Sequence, residues 1–262
     1  MPARIPLADG AITWGSVVPA AAGAPAVVLA PGAGSDRGHP LLVAVQDALA
    51  GAGFAVVTFD FPYRTAGRRL PDRAPVLEAC WRAVLAWVAA TLEPRWIAAG
   101  GGSMGGRMAS HVAAQGAALR ALVFLGFPLH PAGRPGVGRA AHLARVTAPM
   151  LFVQGTRDAL AERPLLADVL AELPQATLYE IAGADHGFRV PKRTGRSEAD
   201  VTREIAGVVT AWLRHTTTVE DVTPPGQATA PARWGGGSGR SRRRRAGSPP
   251  RCGRRARSRP GD

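Results

Sequence analysis

From Ala26 to about His215, short apolar runs alternate with segments whose apolar residues recur every three or four positions. This alternation limits the possible folds more than any other feature of the chain. Ala26-Val27-Val28-Leu29-Ala30 is apolar throughout, as a strand buried on both faces must be, and it ends at Pro31-Gly32. Residues 40–52 then place Leu41, Leu42, Val45 and Leu49 at helical spacing, with Gly53 as a stop. The couplet repeats. A strand over 54–59 precedes a helix over 74–92 striped with Leu77, Cys80, Val84 and Val88. A strand over 95–99 precedes a helix of small residues over 103–115. Further strands fall at 120–125, 150–154 and 177–181, with helices over 164–173 and 198–214. The pattern predicts an α/β fold, a mostly parallel central sheet with helices on both faces. Residues 5–18 have room for one or two antiparallel edge strands. Segment 126–148 lacks periodicity, is rich in Pro, Gly and Arg, and leaves the C-terminal end of a strand. Open α/β sheets bind ligands there, so this segment is expected to wall a pocket.

Charge divides the chain in two. The formal net charge is +13, but residues 216–262, with 11 Arg against Glu220, Asp221 and Asp262, carry +8 of it. The expected organisation is therefore a folded domain over 1–215 and a disordered Arg/Pro/Gly-rich tail over 216–262. So little of the tail is apolar that burial cannot offset its ordering entropy. Such arginine blocks can hold nucleic acid or an acidic partner through charge. The bland reading weighs more: 31 Arg against one Lys suggests a GC-rich genome, in which extended reading frames yield this kind of text. Two cysteines, Cys80 in a helix and Cys252 in the tail, imply no disulfide framework. With no leader-like apolar run and no long apolar span, the expectations are a cytoplasmic setting and no membrane partner. The oligomeric state is left open.

Gly101-Gly102-Ser103-Met104-Gly105 reads G-x-S-x-G, a weak signal alone in a chain with 32 glycines. Its place, after one predicted strand and opening a helix, is that of a nucleophile elbow in the α/β-hydrolase fold. In that fold a serine is followed along the chain by an acid and then a histidine. Here Asp158 follows the 150–154 strand and His186 the last strand. A neutral hydroxyl is a poor nucleophile until an imidazole takes its proton. The expected roles are Ser103 as nucleophile, His186 as general base and Asp158 as the group that orients the ring. Asp185, adjacent to the histidine, is a poorer candidate. The backbone amides of Met104 and Ala33 are the expected oxyanion donors.

Several stretches are similar to one family. They are Ala30-Pro31-Gly32-Ala33-Gly34 with His39-Pro40, Phe59-Asp60-Phe61-Pro62-Tyr63 with Gly67-Arg68-Arg69 and Pro71-Asp72, Gly102-Ser103-Met104-Gly105-Gly106-Arg107, Gln154-Gly155-Thr156-Arg157-Asp158, and Asp185-His186. Over roughly residues 25–215 the chain resembles the dienelactone-hydrolase-related α/β hydrolases, which include testis-expressed protein 30 and the hydrolase-like domain of NSL-complex subunit 3. The resemblance implies a compact domain without a large cap. Pro31-Gly32 stands where the family usually has His-Gly. Dienelactone hydrolase itself uses a cysteine where this chain has Ser103, so dienelactone specificity is not carried over.

The reading is a serine hydrolase acting on a small-molecule acyl substrate, an ester, thioester or related compound, through an acyl-enzyme. The competing reading is a non-catalytic interaction module that kept the fold, which a pocket filled by 126–148 would favour. No metal-ligand cluster and no dinucleotide fingerprint stands in the sequence, so no cofactor and no metal are expected. Arg64, Arg68, Arg69 and Arg73 could hold an anionic substrate group or be a solvated basic loop.

Overall fold

A computed structural model describes residues 1–218 of the chain. The expectation for the Arg-rich tail concerns residues that, from 219 onward, lie outside those described. Eight strands form one sheet: β1 (Pro2–Pro6), β2 (Ile12–Val18), β3 (Ala26–Ala30), β4 (Ala55–Phe59), β5 (Ile97–Gly102), β6 (Ala121–Leu125), β7 (Met150–Gly155) and β8 (Ala176–Ile181). Their spatial order is β1-β2-β4-β3-β5-β6-β7-β8. At one edge β1 pairs antiparallel with β2 and β2 antiparallel with β4, and the remaining neighbours pair parallel; the expected edge strands are there, but the first begins at Pro2, ahead of the 5–18 segment.

Alternate residues of the fully buried central strands feed two separate cores. Val27, Leu29, Val56, Val123 and Leu151 face α1 (Pro40–Gly51) and α6 (Glu198–Thr218), whose Val45, Leu49, Ile205 and Val209 are buried against them. Val28, Val57, Phe59, Leu122, Phe124 and Phe152 face α3 (Ala74–Leu92), α4 (Met104–Ala114) and α5 (Arg163–Ala171). Side chains of this kind contribute about 1.5–3 kcal/mol each on burial, so each face is a substantial adhesive. α3 is long and apolar enough by composition to cross a membrane. Here Leu77, Trp81, Val84 and Val88 are buried against the sheet. Trp81, the largest fully buried side chain among the described residues, meets Phe59 edge-on at 4.9 Å between ring centres.

Short elements escaped the periodicity: α2 (Pro62–Thr65) and 3-10 turns at Gly138–Arg145 and Lys192–Thr194. Each is too short to show a repeating apolar stripe. The closing helix also runs on to Thr218, past its expected end at 214.

β3 lies between β4 and β5, so the chain leaves β3 to one side and later returns on the other. A crevice opens at such a switch in strand order, at the C-terminal strand ends. The loops after β3, β5, β7 and β8 gather there.

Candidate active site

One residue separates β5 from α4. Ser103 bridges them with φ 44° and ψ −112°, a conformation that side-chain-bearing residues rarely adopt and that costs about 1–3 kcal/mol. Its N–H donates to Leu125 O at 3.0 Å, and its own carbonyl accepts from Arg107 N at 3.1 Å. The predicted glycines have distinct reasons. Gly101 has φ 134°, and a Cβ there would lie 2.0 Å from Ala30 O. A Cβ on Gly105 would lie 2.4 Å from the same oxygen, because the first turn of α4 rides directly on the end of β3. Trp81 Nε1 donates to Gly105 O at 3.2 Å and ties this turn to α3.

The structure brings Ser103, His186 and Asp158 together across 83 and 28 residues of sequence. His186 Nε2 lies 2.9 Å from Ser103 Oγ, and His186 Nδ1 lies 2.7 Å from Asp158 Oδ2. A carboxylate only accepts, so Nδ1 carries the proton and Nε2 is left to accept from the serine hydroxyl. The Asp158 side chain is wholly buried and that of His186 is 26% exposed. Asp158 also accepts from Leu160 N at 2.7 Å and from Gln154 Nε2, while Gln154 Oε1 accepts from Phe127 N at 2.9 Å. Sequence reasoning missed Gln154, although it opens the Gln154-Gly155-Thr156-Arg157-Asp158 stretch. A Cβ on Gly155 would lie 2.4 Å from Ala184 O, so that glycine admits the histidine loop to the end of β7. Asp185 has a different task from ring orientation: its Oδ1 accepts from Gly187 N and Arg189 N, both at 2.9 Å, and shapes the turn that carries His186.

The loop after β3 passes over the serine. A Cβ on Gly32 would come within 3.4 Å of Ser103 Cβ. Among the described residues, the amides of Ala33 and Met104 donate to no partner, which leaves both free beside Ser103. Met104 is the first residue of α4, where backbone N–H groups lack helical acceptors.

A cavity of about 350 Å³ opens on Ser103 and His186. Its walls are mainly apolar: Ala33, Leu41, Leu42, Leu125, Leu160 and Phe188, with His39 beside them at the start of α1. The expectation that 126–148 walls this pocket is not met, since no residue of that segment lines it. The reason is which face each belongs to. Phe127, Leu129, Leu143 and Val146 are drawn into the core beneath α3 and α4, whereas Leu42, Leu125 and Phe188 belong to the opposite core. Arg64, Arg68, Arg69 and Arg73 do not line the cavity either. Arg64 bonds Asp36 at 3.1 Å, and Arg68 bonds Asp72 at 2.7 Å. Burial pushes the Cys80 thiol up to about 12, so it stays protonated inside the core.

A second serine–histidine contact lies on the α4 face away from the cavity. Ser110 Oγ is 2.7 Å from His142 Nε2 and 2.7 Å from Arg107 O. The His142 ring packs on His111 at 3.9 Å, and His111 Nδ1 lies 3.1 Å from Glu78 Oε1. Burial first, then His111, Arg107 and Arg145, hold the His142 imidazolium down to about 3.

A family model described as an alpha/beta hydrolase domain matches residues 23–214. Among solved structures, the chain is similar to a dienelactone hydrolase from Anabaena variabilis, with TM-score 0.65 and 22% identity over 82% of this chain and 96% of that one. It is similar to an α/β serine hydrolase without lid from Xanthomonas campestris, with TM-score 0.64 and 22% identity over 86% and 96%. It is also similar to the esterase domain of a Rhodothermus marinus protein, with TM-score 0.64 and 18% identity over 82% and 98%. At such identities the likeness is one of fold.

Proposed function

The chain belongs to the α/β hydrolase domain family, and we propose that it is a serine hydrolase that cleaves a small ester or thioester through an acyl-enzyme on Ser103. The observation that carries this reading is the continuous hydrogen-bonded line from Ser103 Oγ through His186 to Asp158, at 2.9 and 2.7 Å, with its serine end in an open cavity. The finer kinship, to the dienelactone-hydrolase-related members, rests on the Ala30–Gly34 and Phe59–Tyr63 stretches and belongs to the same proposal.

The chemistry follows from the geometry. Ser103 Oγ attacks the acyl carbon as His186 Nε2 takes its proton, and the carbonyl oxygen becomes an oxyanion facing the Ala33 and Met104 amides. Asp158 holds the ring in the accepting tautomer and stabilises the imidazolium. Collapse expels the alcohol or thiol, which receives the proton from His186. Water then repeats the sequence on the acyl-enzyme and releases the acid. The apolar walls favour an uncharged acyl group, and the cavity volume lies at the small end of the range for ligand pockets, about 300–1,000 Å³.

The test is labelling by a fluorophosphonate probe together with hydrolysis of p-nitrophenyl acetate and butyrate. The wild type is expected to label and to turn over, and Ser103→Ala to do neither. A folded wild type that does not label, or equal labelling of Ser103→Ala, would refute the proposal.

A further inference from the structure

The stretch Phe59-Asp60-Phe61-Pro62-Tyr63 is among the most specific in the chain, yet none of it lines the Ser103 cavity. It stands behind the loop that follows β3. Asp60, one residue past β4, is only 6% exposed. Its Oδ1 accepts from the Arg37 backbone N–H at 2.7 Å, and its Oδ2 takes the Arg37 guanidinium. Tyr63, fully buried in α2, accepts from Gly34 N at 3.1 Å through its hydroxyl. Arg64 closes the set on Asp36 at 3.1 Å. One short element thus grips the loop at residues 34, 36 and 37, immediately after Ala33.

The loop's own bonds are local. Ser35 N reaches Gly32 O at 3.2 Å, His39 N reaches Asp36 O at 3.1 Å, and Gly38 N reaches Asp36 Oδ1 at 3.0 Å. Turns of that kind fix the shape of a loop but not its height above Ser103. The grip from behind does, because its base is rigid: Phe61 packs edge-on against Phe59 at 5.4 Å and stacks with Tyr63 at 6.5 Å, and Thr13 of β2 donates to Asp60 O. Burial raises the Tyr63 phenol, which keeps it a neutral hydroxyl able to accept from Gly34.

We propose that Asp60, seconded by Tyr63, is a positioning residue that holds the loop at the height where the Ala33 amide meets the oxyanion formed at Ser103. This rests on the reading of Ser103 as nucleophile. Because neither residue touches the cavity, their loss acts on the transition state rather than on substrate binding. Removing one oxyanion donor costs about 10²–10³ in kcat, and loosening the loop that carries it should cost part of that, about 10- to 100-fold.

The experiment uses the full chain, p-nitrophenyl butyrate kinetics, and inhibition by an alkyl trifluoromethyl ketone, whose adduct with serine bears the oxyanion. Asp60→Asn is expected to lower kcat about 10- to 100-fold, leave KM within about threefold, and weaken the ketone by the same factor as kcat/KM. Tyr63→Phe removes a single hydroxyl and is expected to give the same pattern at about 3- to 10-fold, so it decides the matter should Asp60→Asn fail to fold. A folded variant with wild-type kcat and ketone affinity, or one that raises KM alone, overturns the proposal. A wild type inert to both ester and fluorophosphonate removes the hydrolase reading itself, and with it this one.

Discussion

Two serine–histidine contacts, whose serines stand seven residues apart on the chain, invite comparison. By distance the Ser110–His142 contact, at 2.7 Å, is tighter than the Ser103–His186 contact, at 2.9 Å. Everything around them differs. His186 has the Asp158 carboxylate behind it, whereas His142 has His111, Arg107 and Arg145, which repel its charged form. Ser103 opens on a cavity beside two amides that donate to no partner among the described residues, whereas Ser110 is sealed at 0% exposure and has a carbonyl competing for its proton. Ser103 sits on strained backbone, and Ser110 lies in regular helix. A short Ser–His contact therefore says little by itself. What can make one chemical is a partner that welcomes the imidazolium, room for a substrate, and donors waiting for an oxyanion.

The sharpest way to break this contrast is to exchange the serines. Ser103→Ala is expected to remove up to about 10⁶ in kcat. Ser110→Ala should leave ester turnover within a factor of about two, since it touches nothing in the cavity. Comparable losses in both would erase the distinction. Next in size is Asp158→Asn, expected to lower kcat by about 10⁴ by favouring the wrong imidazole tautomer, with KM little changed. Activity retained there would point to another orienting group. Gln154→Ala should be milder, costing about 1–3 kcal/mol of stability by stripping a donor from Asp158 and an acceptor from Phe127 N. Chemical denaturation with an unchanged midpoint would count against that role.

The second contact should show itself in stability instead of rate. The imidazole of His142 titrates near 6.5 when unfolded but only near 3 when folded. Over that window the unfolded chain binds the proton more readily. The contribution of neutral His142 is therefore complete above about pH 6.5 and is lost progressively as pH falls toward 3. Melting temperatures between pH 7 and 4 should fall less steeply in His142→Gln than in the wild type. Parallel curves would remove His142 as a source of the acid sensitivity.

The fold was largely legible because buried strands leave continuous apolar runs and helices leave periodic ones, as 26–30 and 74–92 do here. That Ser103, Asp158 and His186 would meet was legible for a similar reason: each follows a strand, and strand order brings those loops together. What stayed hidden depends on which face a loop folds toward. Segment 126–148 carries Phe127, Leu129 and Leu143, but their common destination beneath α4 is written in no local period. Gln154 and Asp60 stayed hidden because a buried polar side chain shows its task only through its partners, Asp158 and Phe127 for one, Arg37 for the other.

The strained turn at Ser103 has a consequence for how this protein can change. The φ of 44° is demanded by the path from β5 into α4, whatever side chain stands there. Glycine adopts that conformation without steric cost. Ser103→Gly is therefore expected to be inert yet more stable than the wild type by up to about 1–2 kcal/mol, seen as a raised melting temperature. Under the proposed reading, the serine at this position keeps a nucleophile at the expense of stability that glycine would recover.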